Sequence, residues 1–114
     1  MAHFVAQELS LQLVRQLGPV AQRIAKHDKD LARQLRRAAS SVVLNLAEGS
    51  HSDPGNRRAR FHTAAGSAKE VQAALLVADA WQYVRAEDTL TLADRVVAIT
   101  FKLANRRPSS AHRR

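Results

Sequence analysis

Gln34-Leu35-Arg36-Arg37-Ala38-Ala39-Ser40-Ser41-Val42-Val43-Leu44-Asn45-Leu46-Ala47-Glu48-Gly49 decides how this chain folds, because it carries two side-chain stripes at helical spacing. With Leu31 just ahead of it, Leu35, Ala38, Val42 and Leu46 recur every three or four residues. That is the seam of a helix burying a narrow apolar face against partner helices. Beside the seam, roughly 100° around a helix of about 3.6 residues per turn, run Gln34, Arg37, Ser41, Asn45 and Glu48. All five are polar. Polar groups at a packed boundary need hydrogen-bond partners, so the second stripe predicts a network that fixes how neighbouring helices dock. Within it, Glu48 is expected to pair with Arg37 or with a neighbouring protomer.

The same periodicity extends outward in both directions. A first helix is predicted from about Phe4 to Lys26, with Leu9, Leu13, Leu17, Val20 and Ile24 facing inward. Pro19 lacks a backbone donor, which predicts a kink or a split near Leu17. Lys26-His27-Asp28-Lys29-Asp30 reads as a charged turn in which Asp28 or Asp30 caps the second helix. Gly49 is expected in the left-handed position just past the end of that helix. After a polar loop, Asp53 ahead of Pro54 is a helix start: the carboxylate caps free amides, and proline in the first turn loses no needed donor. The third helix is predicted from about Pro54 to Tyr83, with Phe61, Ala64, Ala68, Val71, Leu75 and Ala78 in its seam. A fourth, from about Glu87 to Asn105, carries Leu92, Val96, Ile99 and Leu103, with Val97, Thr100 and Ala104 on the shoulder. No stretch alternates like a strand. Short connections make successive helices antiparallel, so the expected fold is all-α, an up-down-up-down four-helix bundle over residues 1–105. Residues 106–114 hold arginines, serines and a proline without an apolar period, and are expected to form a disordered basic tail.

With 114 residues, the chain is one unit, too short for a cofactor domain beside a substrate domain. Hydrophobic residues make up 46% but aromatics only 4%, and alanine recurs along the seams, so the core is thin and oligomerisation would add burial. No cysteine is present, which removes disulfides, thiolate metal sites and a cysteine nucleophile. Glu8, Gln12, Arg15 and Gln16 interrupt any secretory leader, and no run approaches the roughly 18 apolar residues of a membrane span. A cytoplasmic location without membrane attachment is expected.

The central run also resembles a known family. QLRRAASSVVLNLAEG, with Asn45-Leu46-Ala47-Glu48-Gly49 inside it, is followed by Arg60-Phe61 and by Ala65-Gly66-Ser67-Ala68-Lys69-Glu70. These elements resemble the bacterial four-helix bundle proteins encoded in large-subunit rRNA intervening sequences and the accessory variability determinant of diversity-generating retroelements. The resemblance spans Leu31 to Val84. It implies an antiparallel bundle assembled as a ring, commonly a homo-pentamer, with a basic surface, a nucleic-acid role and a protein partner such as a reverse transcriptase. It adds Ser67 and Glu70 to the polar network of Gln34, Arg37, Ser41, Asn45 and Glu48.

Charge points the same way. A net +8, from 18 Lys and Arg against 10 Asp and Glu, favours a polyanionic partner. Up-down-up-down topology collects the start of the third helix and the end of the fourth at one pole, so Arg57, Arg58, Arg60, Arg106 and Arg107 are the expected nucleic-acid-binding residues. The free amides at the start of the third helix add donors for phosphate there. A solvated, solubilising surface is the equal rival. Asp28, Asp30, Glu87 and Asp88 fall at the opposite pole. Glu48 and His51 have the Glu-x-x-His spacing of bundle metal sites, but no second pair exists, so neither metal nor cofactor is expected. Arg57 and His62 have the Arg-x4-His spacing of an all-helical ribonuclease class, which an arginine-rich helix start produces readily. A non-enzymatic binding protein is therefore expected, with an adaptor for a protein partner second and a ribonuclease third. Trp81 and Tyr83 lie far from the basic pole and are expected to pack under a loop or against a partner.

Overall fold

Two aspartates set where the middle helices begin. In the computed structural model, which describes residues 2–106, the helices are α1 (Ala2–Ala25), α2 (Lys29–Ser50), α3 (Pro54–Ala80) and α4 (Glu87–Ala104). The carboxylate of Asp28 accepts a hydrogen bond from the Leu31 amide at 2.9 Å, capping α2. Asp53 does the same for α3, accepting from the Asn56 amide at 3.0 Å and from its side-chain Nδ2 at 2.8 Å, with Pro54 at the first helical position. The backbone bond from Asn56 holds the Asp53 carboxyl below its ordinary value. A lowered folded-state pKa stabilises α3 above the ordinary aspartate range, and the stabilisation fades as pH falls through the folded value. α4 starts differently. Ala86 precedes it without a side-chain cap, its amide donates to Asp79 on α3 at 3.0 Å, and Glu87 and Asp88 complement the dipole of the first turn.

Each helix buries the seam its spacing predicts. Leu9, Leu13, Leu17, Val20 and Ile24 of α1, Leu31, Leu35, Ala38, Val42 and Leu46 of α2, and the six seam residues of α3 are all buried in one continuous core. α4 turns slightly from the expected face: Thr100 and Ala104 are fully buried, while Ile99 and Val97 are half-buried at the edge. Thr100 enters the core because its hydroxyl donates back to the Val96 carbonyl at 2.7 Å, so no polar atom is stranded. Ser10 of α1 does likewise on Ala6 at 2.7 Å.

Packing order follows chain order: α1 on α2, α2 on α3, α3 on α4, with α4 closing back on α1. Partners across the seams run in opposite sequence order. Gly49 meets Phe61 and Ser41 meets Ser67; likewise Asp79 meets Ala86, and Gln72 meets Asp94 at 2.6 Å. The result is a rod of 56 × 20 × 18 Å.

Three local readings change. Of the kink or split expected near Leu17, the split does not occur: α1 continues as one element to Ala25, and Gly18 and Pro19 are both exposed, so water can satisfy the carbonyl that proline leaves free. Gly49 lies within α2 rather than beyond it, and no described glycine has a positive φ. Its role is close approach: a Cβ there would stand 2.5 Å from Phe61 Cε1. Trp81 is exposed rather than covered by a loop, whereas Tyr83 is half-buried against the core. The expected tail beyond Arg106, including Arg107, lies outside the described residues.

Candidate nucleic-acid interface

The polar stripe of α2 faces a groove along the α2–α3 seam. Arg36, Arg37, Ser40, Ser41, Leu44, Asn45 and Glu48 of α2 line it with Arg60 of α3, around a volume of about 520 Å³. Its floor is hydrogen-bonded. The Ser41 and Ser67 hydroxyls lie 2.7 Å apart, and Asn45 Nδ2 donates to the Ser41 carbonyl at 2.9 Å and to the Ser41 hydroxyl at 3.1 Å. The other end of the same amide, Asn45 Oδ1, accepts from Arg60 Nη1 at 3.3 Å. Asn45 thus links the α2 backbone to a guanidinium on α3, and its amide is oriented by bonds at both ends.

Three guanidinium groups share this groove with one carboxylate, Glu48. Arg36, Arg37, Glu48 and Arg60 are all exposed. Among the described residues the one ion pair is Arg33 with Asp30 at 3.3 Å, so Glu48 does not pair with Arg37 within the chain. The reason is geometric: three-turn separation along α2 puts them at opposite ends of the groove, eleven positions apart in sequence. What the arrangement offers chemically is a set of planar donor forks suited to phosphate oxygens, beside serine hydroxyls.

The residues expected at the basic pole have separate surroundings. Arg57 is occupied structurally: its Nε donates to the Gly49 carbonyl at 3.3 Å and its Nη2 to the Ser52 carbonyl at 3.2 Å, capping the carbonyl end of α2. Arg58 is exposed on α3. Arg106 lines a different groove, between α1 and α4, with Arg95 and Lys102. Continuing the Gln72–Asp94 register by equal steps along both helices brings Arg106 level with Arg60. Of the expected network, Ser41, Asn45 and Ser67 are bonded together, Arg37 and Glu48 line the groove, and Gln34 and Glu70 are exposed outside its lining. Arg36 and Ser40 were the omissions. Their positions at intervals of four with Leu44 and Glu48 mark one face of α2, a signal hidden by the attention that the neighbouring stripe draws.

Among the described residues no group of three or more His, Asp or Glu side chains could hold a metal ion. Nor is any helix among them long and apolar enough to cross a membrane.

Residues 3–105 match the family model described as 23S rRNA-intervening sequence protein. Among solved structures, a protein of unknown function from the S23 ribosomal protein family of Bacteroides thetaiotaomicron superposes with a TM-score of 0.82. It is 15% identical, and the match covers 92% of this chain and 96% of that one, a likeness of fold. No curated protein matches the chain significantly.

Proposed function

We propose that this chain, which belongs to the 23S rRNA-intervening sequence protein family, is a non-enzymatic cytoplasmic bundle that self-associates and binds nucleic acid, RNA or a ribonucleoprotein foremost. The observation that carries this reading is the convergence of Arg36, Arg37 and Arg60 on one groove with a single carboxylate among them. Arg58 on α3 and Arg106 just past α4 add exposed positive charge toward the same pole. A chain of net +8 gathers counterion-releasing contacts in this way, and phosphate contacts hold a strand without choosing its sequence.

Anisotropy titrations of labelled single-stranded RNA at several salt concentrations test it. Each phosphate contact on a single strand contributes about 0.7 to the slope of log affinity against log salt, so replacing all three groove arginines by Ala should flatten that slope by about 2. Absence of binding by the wild type at low salt, or equal slopes for both proteins, overturns the reading. Cleavage of the RNA that disappears in His62→Ala would replace it with the ribonuclease alternative.

The adaptor reading has its own observation. The α1–α4 groove, about 610 Å³, is floored by Ala2, Val5, Leu9, Ala98, Ile99 and Leu103, and Phe4 and Phe101 nearby in sequence are exposed. An apolar floor of this kind, with Arg95, Lys102 and Arg106 also in its lining, suits a second copy or a protein partner with acidic groups at the rim of its contact.

A further inference from the structure

We propose that the rings of His27, Tyr83 and Trp81, at the pole opposite the arginines of α3, form a platform on which an unpaired nucleobase stacks. The proposal rests on the nucleic-acid reading for its occupant and on separate residues for its site. His27 comes from the α1–α2 connection and Tyr83 from the α3–α4 connection, yet their rings are parallel to within 1°, with centroids 4.8 Å apart. Trp81 joins them at 6.4 Å from Tyr83 with 14° between planes. Three near-parallel rings drawn from two chain segments make a π stack, with Tyr83 next to both His27 and Trp81 and the indole of Trp81 left exposed.

The backbone is bent to make this surface. Residues two apart on a helix do not face each other, so Trp81 and Tyr83 could not stack had α3 simply continued. Between them Gln82 has φ 65°, the single left-handed non-glycine among the described residues. That conformation is uncommon for a glutamine. The turn is held on both sides: the Trp81 amide donates to Val77 at 3.0 Å, the Tyr83 amide to Ala78 at 2.9 Å, and Asp79 accepts from the Ala86 amide at 3.0 Å. Tyr83 anchors the stack against the core, while Trp81 stays 67% exposed. A large indole left in water at the end of a rigid turn is a binding surface in waiting.

The charge around the stack is mixed. Lys26 and Lys29 flank His27 in sequence and Arg85 follows Tyr83, all exposed. Five carboxylates lie at the same pole: Asp28 and Asp79 accept from backbone amides, Asp30 pairs with Arg33, and Glu87 and Asp88 sit on the first turn of α4. The exposed indole face at the end of the stack fits a base, with Lys26, Lys29 and Arg85 as the neighbouring cations for its phosphate. The base must be unpaired, because duplex bases are already stacked within their helix. Along α3 the platform lies about 30 Å from Arg60 at 1.5 Å per residue, so it is a contact separate from the α2–α3 groove.

Trp81 is the only tryptophan, so its fluorescence reports on this site alone. The protein is titrated with unpaired, single-stranded oligoadenylate RNA and with an abasic ribose-phosphate strand of equal length, following both Trp81 emission and the anisotropy of an end-labelled strand. Oligoadenylate should quench Trp81 and the abasic strand should not. Trp81→Ala should weaken oligoadenylate binding by roughly 5- to 150-fold at unchanged salt slope. Trp81→Phe should recover most of the affinity, and thermal melts of both variants should overlay the wild type. Binding without quenching, equal quenching by the abasic strand, or wild-type affinity in Trp81→Ala overturns the platform and leaves the arginine groove standing. Loss of oligomer in Trp81→Ala with RNA affinity intact also overturns it, in favour of a protein contact. If the wild type binds no RNA, both readings fall.

Discussion

The α2–α3 seam and the α1–α4 seam belong to the same bundle but are built by different rules. Across α2–α3, the serine hydroxyls of Ser41 and Ser67 meet, Arg60 reaches Asn45, Arg57 reaches the Gly49 carbonyl, and Gly49 lets the Phe61 ring within a distance no side chain would allow. Across α1–α4 no side-chain hydrogen bond is made among the described residues, and Phe4, Val5 and Phe101 remain in solvent beside an apolar groove. Apolar contact is roughly proportional to area and indifferent to direction, whereas a hydrogen bond left unmade at a buried boundary costs about 1–3 kcal/mol. The first seam therefore fixes one register through directional bonds. The second packs without such bonds and leaves apolar side chains exposed.

The largest effect that would break this contrast is in the core both seams share. Leu46 is fully buried on α2, and Leu46→Ala should destabilise the fold by about 2–5 kcal/mol in denaturant unfolding. An unchanged midpoint would mean that Leu46 does not lie in the buried seam of α2.

Next is the close approach itself. Gly49→Ala gains about 0.8–1.0 kcal/mol of helix propensity. Against that stands about 1–3 kcal/mol of overpacking, because the new methyl collides with a buried ring. The net change should be destabilising by about 1 kcal/mol. Phe61→Leu should lessen the penalty in the double variant, and additive effects would show that the two residues do not meet. A stabilised Gly49→Ala protein would show that α2–α3 has room to spare and is no more specified than α1–α4.

The sequence made this seam partly legible and the other hardly at all. Leu31 through Leu46 repeat at helical spacing, and Asp53-Pro54 is a capped start, so helices and core followed from local chemistry that the structure reproduces. Gly49 was misread because glycine near a helix end serves two physical purposes, a left-handed turn or a close approach, and only the partner ring across the seam decides between them. Arg57 was grouped with free arginines for a related reason: its carbonyl partners belong to the helix before it, brought near by the turn at Ser52 and Asp53. The stack of His27 on Tyr83 joins residues 56 positions apart in sequence, which no spacing rule connects.

The smallest effect on stability is the sharpest test of the second seam. Phe101 is 57% exposed on α4, so Phe101→Ser removes little buried area, and the unfolding free energy of the monomer should stay within about 0.5 kcal/mol of wild type. If the α1–α4 face is where copies of the chain meet, the same substitution should lower the native mass measured by light scattering, because an apolar anchor at an interface centre contributes far more to association than to folding. Unchanged mass with unchanged stability would move self-association to another surface. A loss of several kcal/mol would place Phe101 in the core of the fold, and the two seams would then differ in polarity alone.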